Sequence, residues 1–429
     1  VTLAAIPLTD GVAVPGPEPT RATRLAALAA LGAAGWPSRR RELWRYTDLE
    51  PLADGGFDLI PSAEREPALE AARRLLADPT FGDRAQPLVL LDGRRAPELG
   101  ATAIAGLDLI DAERQWDEFT RLFARPIAAA HHPLAALNTA FGRDGLWLKL
   151  PAGAVLDAPI HLVVIGSQAR LAAQPRIVIE AGPGSRATFV QHFIDCDAGS
   201  QSWTNSVTQI KQAAESRLTL YRSQRHATGA VHTSLLSAEL TNDAELTIGY
   251  FDLGAKLVRN DIDIVLAGAG ARTDLFGLFL AGGGQHIDDH TLIRHAAGAT
   301  VSSENFRGLI GERGRGVFNG KVVVEAGCQG IDARQTNDNL LLGDHAEIDT
   351  KPELEIYAND VKCSHGTTVG ELDAEQLFYL RARGLDMAAA RRVLTTAFAA
   401  TVVEQVADER LRERILEQVT QRLASLTEP

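Results

Sequence analysis

Two groups of side chains have types and spacings that could do chemistry. Cys363-Ser364-His365 sets a thiol and an imidazole two residues apart. Both are ligands of soft or borderline metals, and residues two apart on an extended strand share a face, so the pair could address one ion. Taken alone the signal is weak, because an isolated Cys-x-His is ordinarily an inert buried thiol beside a turn histidine. The second group is His286, Asp288, Asp289, His290 and His295, which follows Ala281-Gly282-Gly283-Gly284. Strand alternation puts His286, Asp288 and His290 on one face and Asp289 on the other. A His/Asp/His metal site is therefore geometrically open. Asp288 and Asp289 point apart, which argues against the acid and base pair of a glycosidase, whose carboxyls flank one bond at ~5 to 9.5 Å. The plainer reading is an outward polar row at a coil bend.

Other chemistries are excluded by pattern. The 3 cysteines, Cys196, Cys328 and Cys363, lie far apart with no CxxC spacing. A disulfide framework, a zinc finger and a complete four-cysteine cluster site within one chain are all ruled out, and Cys196 and Cys328 read as buried thiols. Gly320-Lys321 runs into Val322 with no glycine five residues before Gly320, so there is no P-loop, and neither G-x-S-x-G nor H-E-x-x-H occurs. The 55 acidic and 43 basic side chains give a net charge of −12, the wrong sign for a general nucleic-acid or anionic-membrane binder. No apolar run reaches ~18 residues and Val1 to Asp10 carries no signal-peptide pattern, so a cytoplasmic protein without a membrane span is expected.

These side chains need elements to position them. With 429 residues, 45% hydrophobic and 23% charged, the chain can bury a full core. From Pro19 to Gly35 the spacing of Arg21, Leu25, Leu28 and Leu31 predicts a helix. The stretch Glu42-Leu43-Trp44-Arg45-Tyr46-Thr47 follows, then helices at Glu64–Ala77 and Asp111–Ala124 with a short strand, Leu88–Leu91, between them. After Asp144-Gly145 the pattern changes to β-branched and alternating runs, from Leu146–Leu150 to Glu353–Ile356, with no amphipathic helix among them. Turn segments recur before these runs: Ala181-Gly182-Pro183-Gly184-Ser185, Ala214-Glu215-Ser216, Asn242-Asp243-Ala244, Ala267-Gly268-Ala269-Gly270 and Ala296-Ala297-Gly298-Ala299. The runs start roughly 26 to 31 residues apart, a solenoid period. A solenoid of strands alone is a β-helix, preferred here to a β-sandwich or barrel with insertions.

Helical signals return at Asp373, an N-cap for Ala374–Arg383 with Gly384 as its stop, and Asp386 caps the next helix. Leu411, Ile415, Leu416, Val419, Leu423 and Leu426 form an apolar stripe on the last helix. It reads first as packing against the preceding helix and second as a docking surface. The expected organisation is a mainly helical region over 1–143, a β-helix over 144–370 and a helical domain over 371–429.

One long stretch is recognisable. It includes Leu340-Leu341-Leu342, then Lys351-Pro352-Glu353-Leu354-Glu355-Ile356-Tyr357-Ala358-Asn359-Asp360-Val361-Lys362-Cys363-Ser364-His365-Gly366-Thr367-Thr368-Val369-Gly370. It continues through Glu371-Leu372-Asp373 and Leu377-Phe378-Tyr379-Leu380-Arg381-Ala382-Arg383-Gly384. This resembles the SufB/SufD family, the scaffold subunits of the SUF iron–sulfur cluster assembly machine. Val317-Phe318-Asn319-Gly320-Lys321 and Asp332-Ala333-Arg334-Gln335 extend the likeness over at least residues 285–385. The length, the Glu42–Thr47 motif and the lack of an N-terminal Cys-rich motif look like the SufD branch rather than SufB.

The resemblance implies a mainly β fold: a right-handed parallel β-helix core flanked by N-terminal and C-terminal helical regions. It implies a non-catalytic scaffold that pairs with SufB through the β-helix. Each C-terminal domain docks one SufC ATPase, in a one-to-two-to-one complex, and Phe378-Tyr379 or the apolar stripe belongs to that docking surface. The nucleotide site then lies on SufC and not on this chain. Cys363 and His365 match the family's Cys-x-His, which implies that they help hold iron or a transient iron–sulfur cluster shared with SufB. In isolation the exposed coil edge that receives SufB leaves room for a homodimer. The alternatives are a SufB-like paralogue, a β-helical carbohydrate-active enzyme using Asp288 or Asp289, and a metalloenzyme centred on His286, Asp288 and His290.

Overall fold

A computed structural model describes residues 14–16, 18–49, 52, 55–61, 64–77, 87–110 and 132–427. The expected helix Asp111–Ala124 lies outside them. The chain is mainly β, with 43% of it in strands, and is built as a β-solenoid of about 8 turns with helices at both ends. Two parallel sheets face each other. One runs from Leu88–Leu91 through Ile160–Gly166, Arg186–Asp195, Arg217–Arg225, Glu245–Asp252, Arg272–Ala281, Val301–Ile310 and Ile331–Leu341 to Val361–Gly370. The other runs from Leu146–Leu150 through Arg176–Ala181, Trp203–Gln212, Val231–Leu240, Leu257–Leu266, His286–His295 and Arg315–Val324 to Glu347–Ile356. Leu88–Leu91, expected within the helical region, pairs with Ile160–Gly166 and so belongs to the first sheet.

The recurrent turns close one corner of every coil. Gly153, Gly184, Glu215, Asp243, Gly270, Ala299 and Gly330 all have positive φ. Each donates its N–H to the next coil: Gly184 to Ala214 O, Glu215 to Asn242 O, Asp243 to Ala269 O, Gly270 to Gly298 O and Ala299 to Gln329 O. That left-handed turn costs a residue with a Cβ ~1 kcal/mol, which the ladder bond offsets at Glu215, Asp243 and Ala299. A stacked corner of this kind explains why small and polar turn residues repeat at the coil period. Alternation then sends Leu246, Ile248 and Tyr250 of one sheet, and Val258, Ile262 and Ile264 of the other, into a shared core.

Helices cover the outer faces. The N-terminal helix Glu18–Ala34 ends where Gly35, at φ 72°, turns its N–H to Leu31 O. Leu28, Leu31, Trp44 and Leu137 pack on Trp203 and Val231 of the second sheet. At the other end Asp373 and Asp386 cap the helices Ala374–Ala382 and Met387–Val403, as expected. The terminal helix Glu409–Thr427 buries Leu411, Ile415, Val419, Leu423 and Leu426 not only on the preceding helix but on Val190, Tyr221, Phe251, Phe276 and Leu309 of the first sheet. The stripe is therefore occupied and cannot be a docking surface. Helix Ala374–Ala382 has no buried residue, and Phe378 is 75% exposed.

The solenoid stays open at its last coil. Every residue of Glu347–Ile356 and Val361–Gly370 is exposed or only half-buried, and each strand pairs on one side only. Among the described residues no helix is long and apolar enough to cross a membrane.

Candidate functional site

Cys363 and His365 sit on that last strand. Cys363 lies opposite Ala333 and His365 opposite Gln335, and both of those neighbours are buried in the coil behind. The alternation that turns Ala333 and Gln335 inward also turns Cys363 and His365 into the interior face, where no further coil among the described residues covers them. Cys363 is half-buried against the solenoid core and His365 is exposed. Burial pushes the Cys363 thiol up, and Asp332 nearby adds to this, so the sulfur keeps its proton near neutral pH. Among the described residues no group of three or more His, Cys, Asp or Glu side chains is placed to hold a metal ion. A thiolate and an imidazole here would need partners from another molecule to complete a coordination shell.

A polar layer lies directly behind the pair. Glu304, Gln335 and His365 are in register on three successive strands. Gln335 Nε2 donates to Glu304 Oε2 at 2.6 Å, and both residues are almost fully buried. Gly320, on the facing sheet, makes the room: a Cβ there would collide with the Gln335 amide. Glu304 carried no signal in the sequence, although Gly320 and Gln335 fall in two of the motifs that mark the family.

The His286 group is built differently from either expectation. Asp288 faces away from the core and Asp289 into it, as alternation requires. Yet the outer row is not exposed, because the Glu42–Thr47 segment lies over it. The Thr47 hydroxyl is 2.6 Å from His286 Nε2 and donates to Asp288. Arg259 donates to Asp288 Oδ2 at 2.7 Å and to Asp261 at 2.7 Å, while its guanidinium stacks 4.4 Å from the Trp44 ring. His290 Nε2 stands 2.9 Å from Asp288 Oδ1. Burial pushes the Asp288 carboxyl up, but the Arg259 guanidinium, with His290 and His286, more than reverses this and holds it well below the usual carboxylate range. With Asp288 committed to a guanidinium and a hydroxyl, the row serves to anchor the N-terminal segment, and neither the metalloenzyme nor the outward polar row describes it. On the inner face Asn260 bridges Asp289 at 2.7 Å and Asp252 at 2.9 Å. That carboxyl pair is sealed in the core, not aligned on a carbohydrate groove.

The other thiols are not on the last coil. Cys196 is half-buried, and burial together with Asp92 and Asp195 pushes it up to about 12. Cys328 is buried in a coil corner.

The described residues thus form a β-solenoid whose last coil is left uncovered, with a thiol and an imidazole on its interior face. Residues 163–398 match the family described as SUF system FeS cluster assembly, SufBD core domain. The iron-sulfur cluster assembly protein SufD of Escherichia coli is 32% identical over 399 residues, 91% of this chain and 90% of that protein. An iron-sulfur cluster assembly SufBD family protein of Synechocystis is 29% identical over 401 residues, 90% of this chain and 87% of its own. SufD of Bacillus subtilis is 23% identical over 324 residues, 74% of each chain. The chain belongs to the SufB/SufD family and is of the SufD type.

Proposed function

We propose that this chain is a SUF scaffold subunit which builds an iron–sulfur cluster transiently at the open end of its β-helix, against a SufB-type partner. The observation that carries the reading is the position of Cys363 and His365 on the interior face of a terminal coil that none of the described residues caps. The cluster is cargo, not a resident cofactor. Its irons take thiolate or, in some centres, imidazole ligands, usually four protein ligands in all. Two from this chain leave the rest to the partner, and the unpaired strand edges of the last coil supply backbone groups for pairing with it.

The chain itself is non-catalytic in this reading. Nucleotide is bound by a SufC-type ATPase that docks on helix Ala374–Ala382, where Phe378 and Tyr379 are exposed at 75% and 57%. ATP binding changes the complex only through its preference for one of two states of the scaffold. In the favoured state the open end exposes Cys363 and His365 to incoming iron. Substituting Cys363→Ala or His365→Ala is expected to impair cluster assembly while the chain still co-purifies with the SufB-type and SufC-type subunits. Assembly at full rate in both variants would sink the site assignment.

A further inference from the structure

This inference rests on the reading of the open end just given. The interior behind Cys363 and His365 holds a carboxyl with no cation among the described residues to balance it. Glu304 is 2% exposed. Leu275 and Gln335 flank it in register, Ser302 and Phe306 are its inward neighbours on the same strand, and Thr291 comes across from the facing sheet. All of these are uncharged. The nearest titratable groups turned into the same interior on that facing strand are Asp289, bound to Asn260, and His295, held between Thr300 and Ser302. Beyond Gln335 come only His365 and Cys363. Gln335 Oε1 has no hydrogen-bond partner among the described residues, so the amide between Glu304 and His365 is half-satisfied. Burial pushes the Glu304 carboxyl up to about 7, against the hydrogen bond from Gln335.

We infer that Glu304 is the internal countercharge of the open end: a cation arriving between Cys363 and His365 drives ionisation of Glu304, and the carboxylate so formed strengthens retention of that cation. The carboxyl O–H bond breaks, the electron pair stays on the oxygen and the proton leaves to solvent at the mouth. Strands ~4.8 Å apart put Glu304 two rungs, about 10 Å, from His365. Glu304 therefore acts at a distance, as a positioning residue and not a ligand. Opposite unit charges about 10 Å apart at an effective dielectric of about 20 change affinity roughly tenfold. By reciprocity the cation shifts the ionisation of Glu304 by the same factor.

The test uses the complex of this chain with its SufB-type and SufC-type partners, titrated anaerobically with Co(II), the cobalt–thiolate absorption reporting occupancy. Glu304→Gln keeps an acceptor for Gln335 and removes the ionisable proton. Wild type and E304Q are expected to differ by less than about twofold at about pH 6, and by about tenfold in favour of wild type at about pH 8. Independently of any variant, the infrared band of the protonated Glu304 carboxyl in the wild type should fall on cobalt addition near pH 7. Equal affinities at both pH values, an equal loss at both, or an unchanged infrared band would each overturn the countercharge. A cobalt–thiolate band that survives Cys363→Ala would instead overturn the reading of the open end, and this inference with it.

Discussion

Arg259 is enclosed by Trp44, Asp261 and Asp288, so removing the Asp288 charge leaves a buried guanidinium short of its countercharge. Asp288→Asn is expected to cost about 3 to 5 kcal/mol of stability, measured by chemical denaturation. The pH dependence has a definite sign. The Asp288 carboxyl ionises far more readily in the folded chain than in the unfolded one, where its pKa is about 3.9. Its contribution is therefore complete above about pH 5 and is lost as pH falls through the acid range, a limb that D288N should flatten. Residues legible in the sequence were those whose partners are close along the chain: the spacing of Cys363 and His365 is a weak signal by itself, and the family resemblance singles the pair out. Glu304 did not, because its meaning comes from Gln335, 31 residues away in sequence and adjacent only once the coil length is fixed. Thr47, Trp44 and Asp288 were each noticed, but nothing local says that one covers the other.

The two faces of the C-terminal helices should separate cleanly. Ile415, 2% exposed, packs in the cluster with Val190 and Tyr221, whose hydroxyl also accepts the Ala407 N–H at 3.0 Å. Ile415→Ala should cost about 2 to 5 kcal/mol in denaturation. Phe378→Ala, on the exposed helix, should change stability by less than about 0.5 kcal/mol while weakening co-purification of the ATPase. A Phe378 variant that binds the ATPase normally would contradict that docking surface. Helix caps at Asp373 and Asp386 and the corner residues of the coils could be read directly, since their chemistry is local. Trp203–Gln212 and Val231–Leu240 carry no strand signal in the sequence because Thr, Ser, Asn and His occupy many of their buried positions. Asn205, for instance, is almost fully buried and satisfied by Leu134 O at 2.8 Å and Gln174 Oε1 at 2.7 Å, an arrangement no hydrophobic periodicity reveals.

At the scale of the whole molecule, a solenoid grows by adding coils, and each coil buries the face of the one before. Among the described residues the coil carrying Cys363 and His365 has no successor, which leaves two strand edges and an inward-facing thiol and imidazole uncovered. In the proposed function this is the physical basis for a shared site, in which two chains supply the ligands that one lacks. The most direct test labels only this chain with ¹⁵N-histidine and loads the three-subunit complex with a cluster. Electron–nuclear double resonance on the reduced cluster should then show a ¹⁵N hyperfine coupling that disappears in the His365→Ala variant. A fully loaded cluster with no such coupling in the wild-type complex would contradict the claim that His365 of this chain helps to hold it.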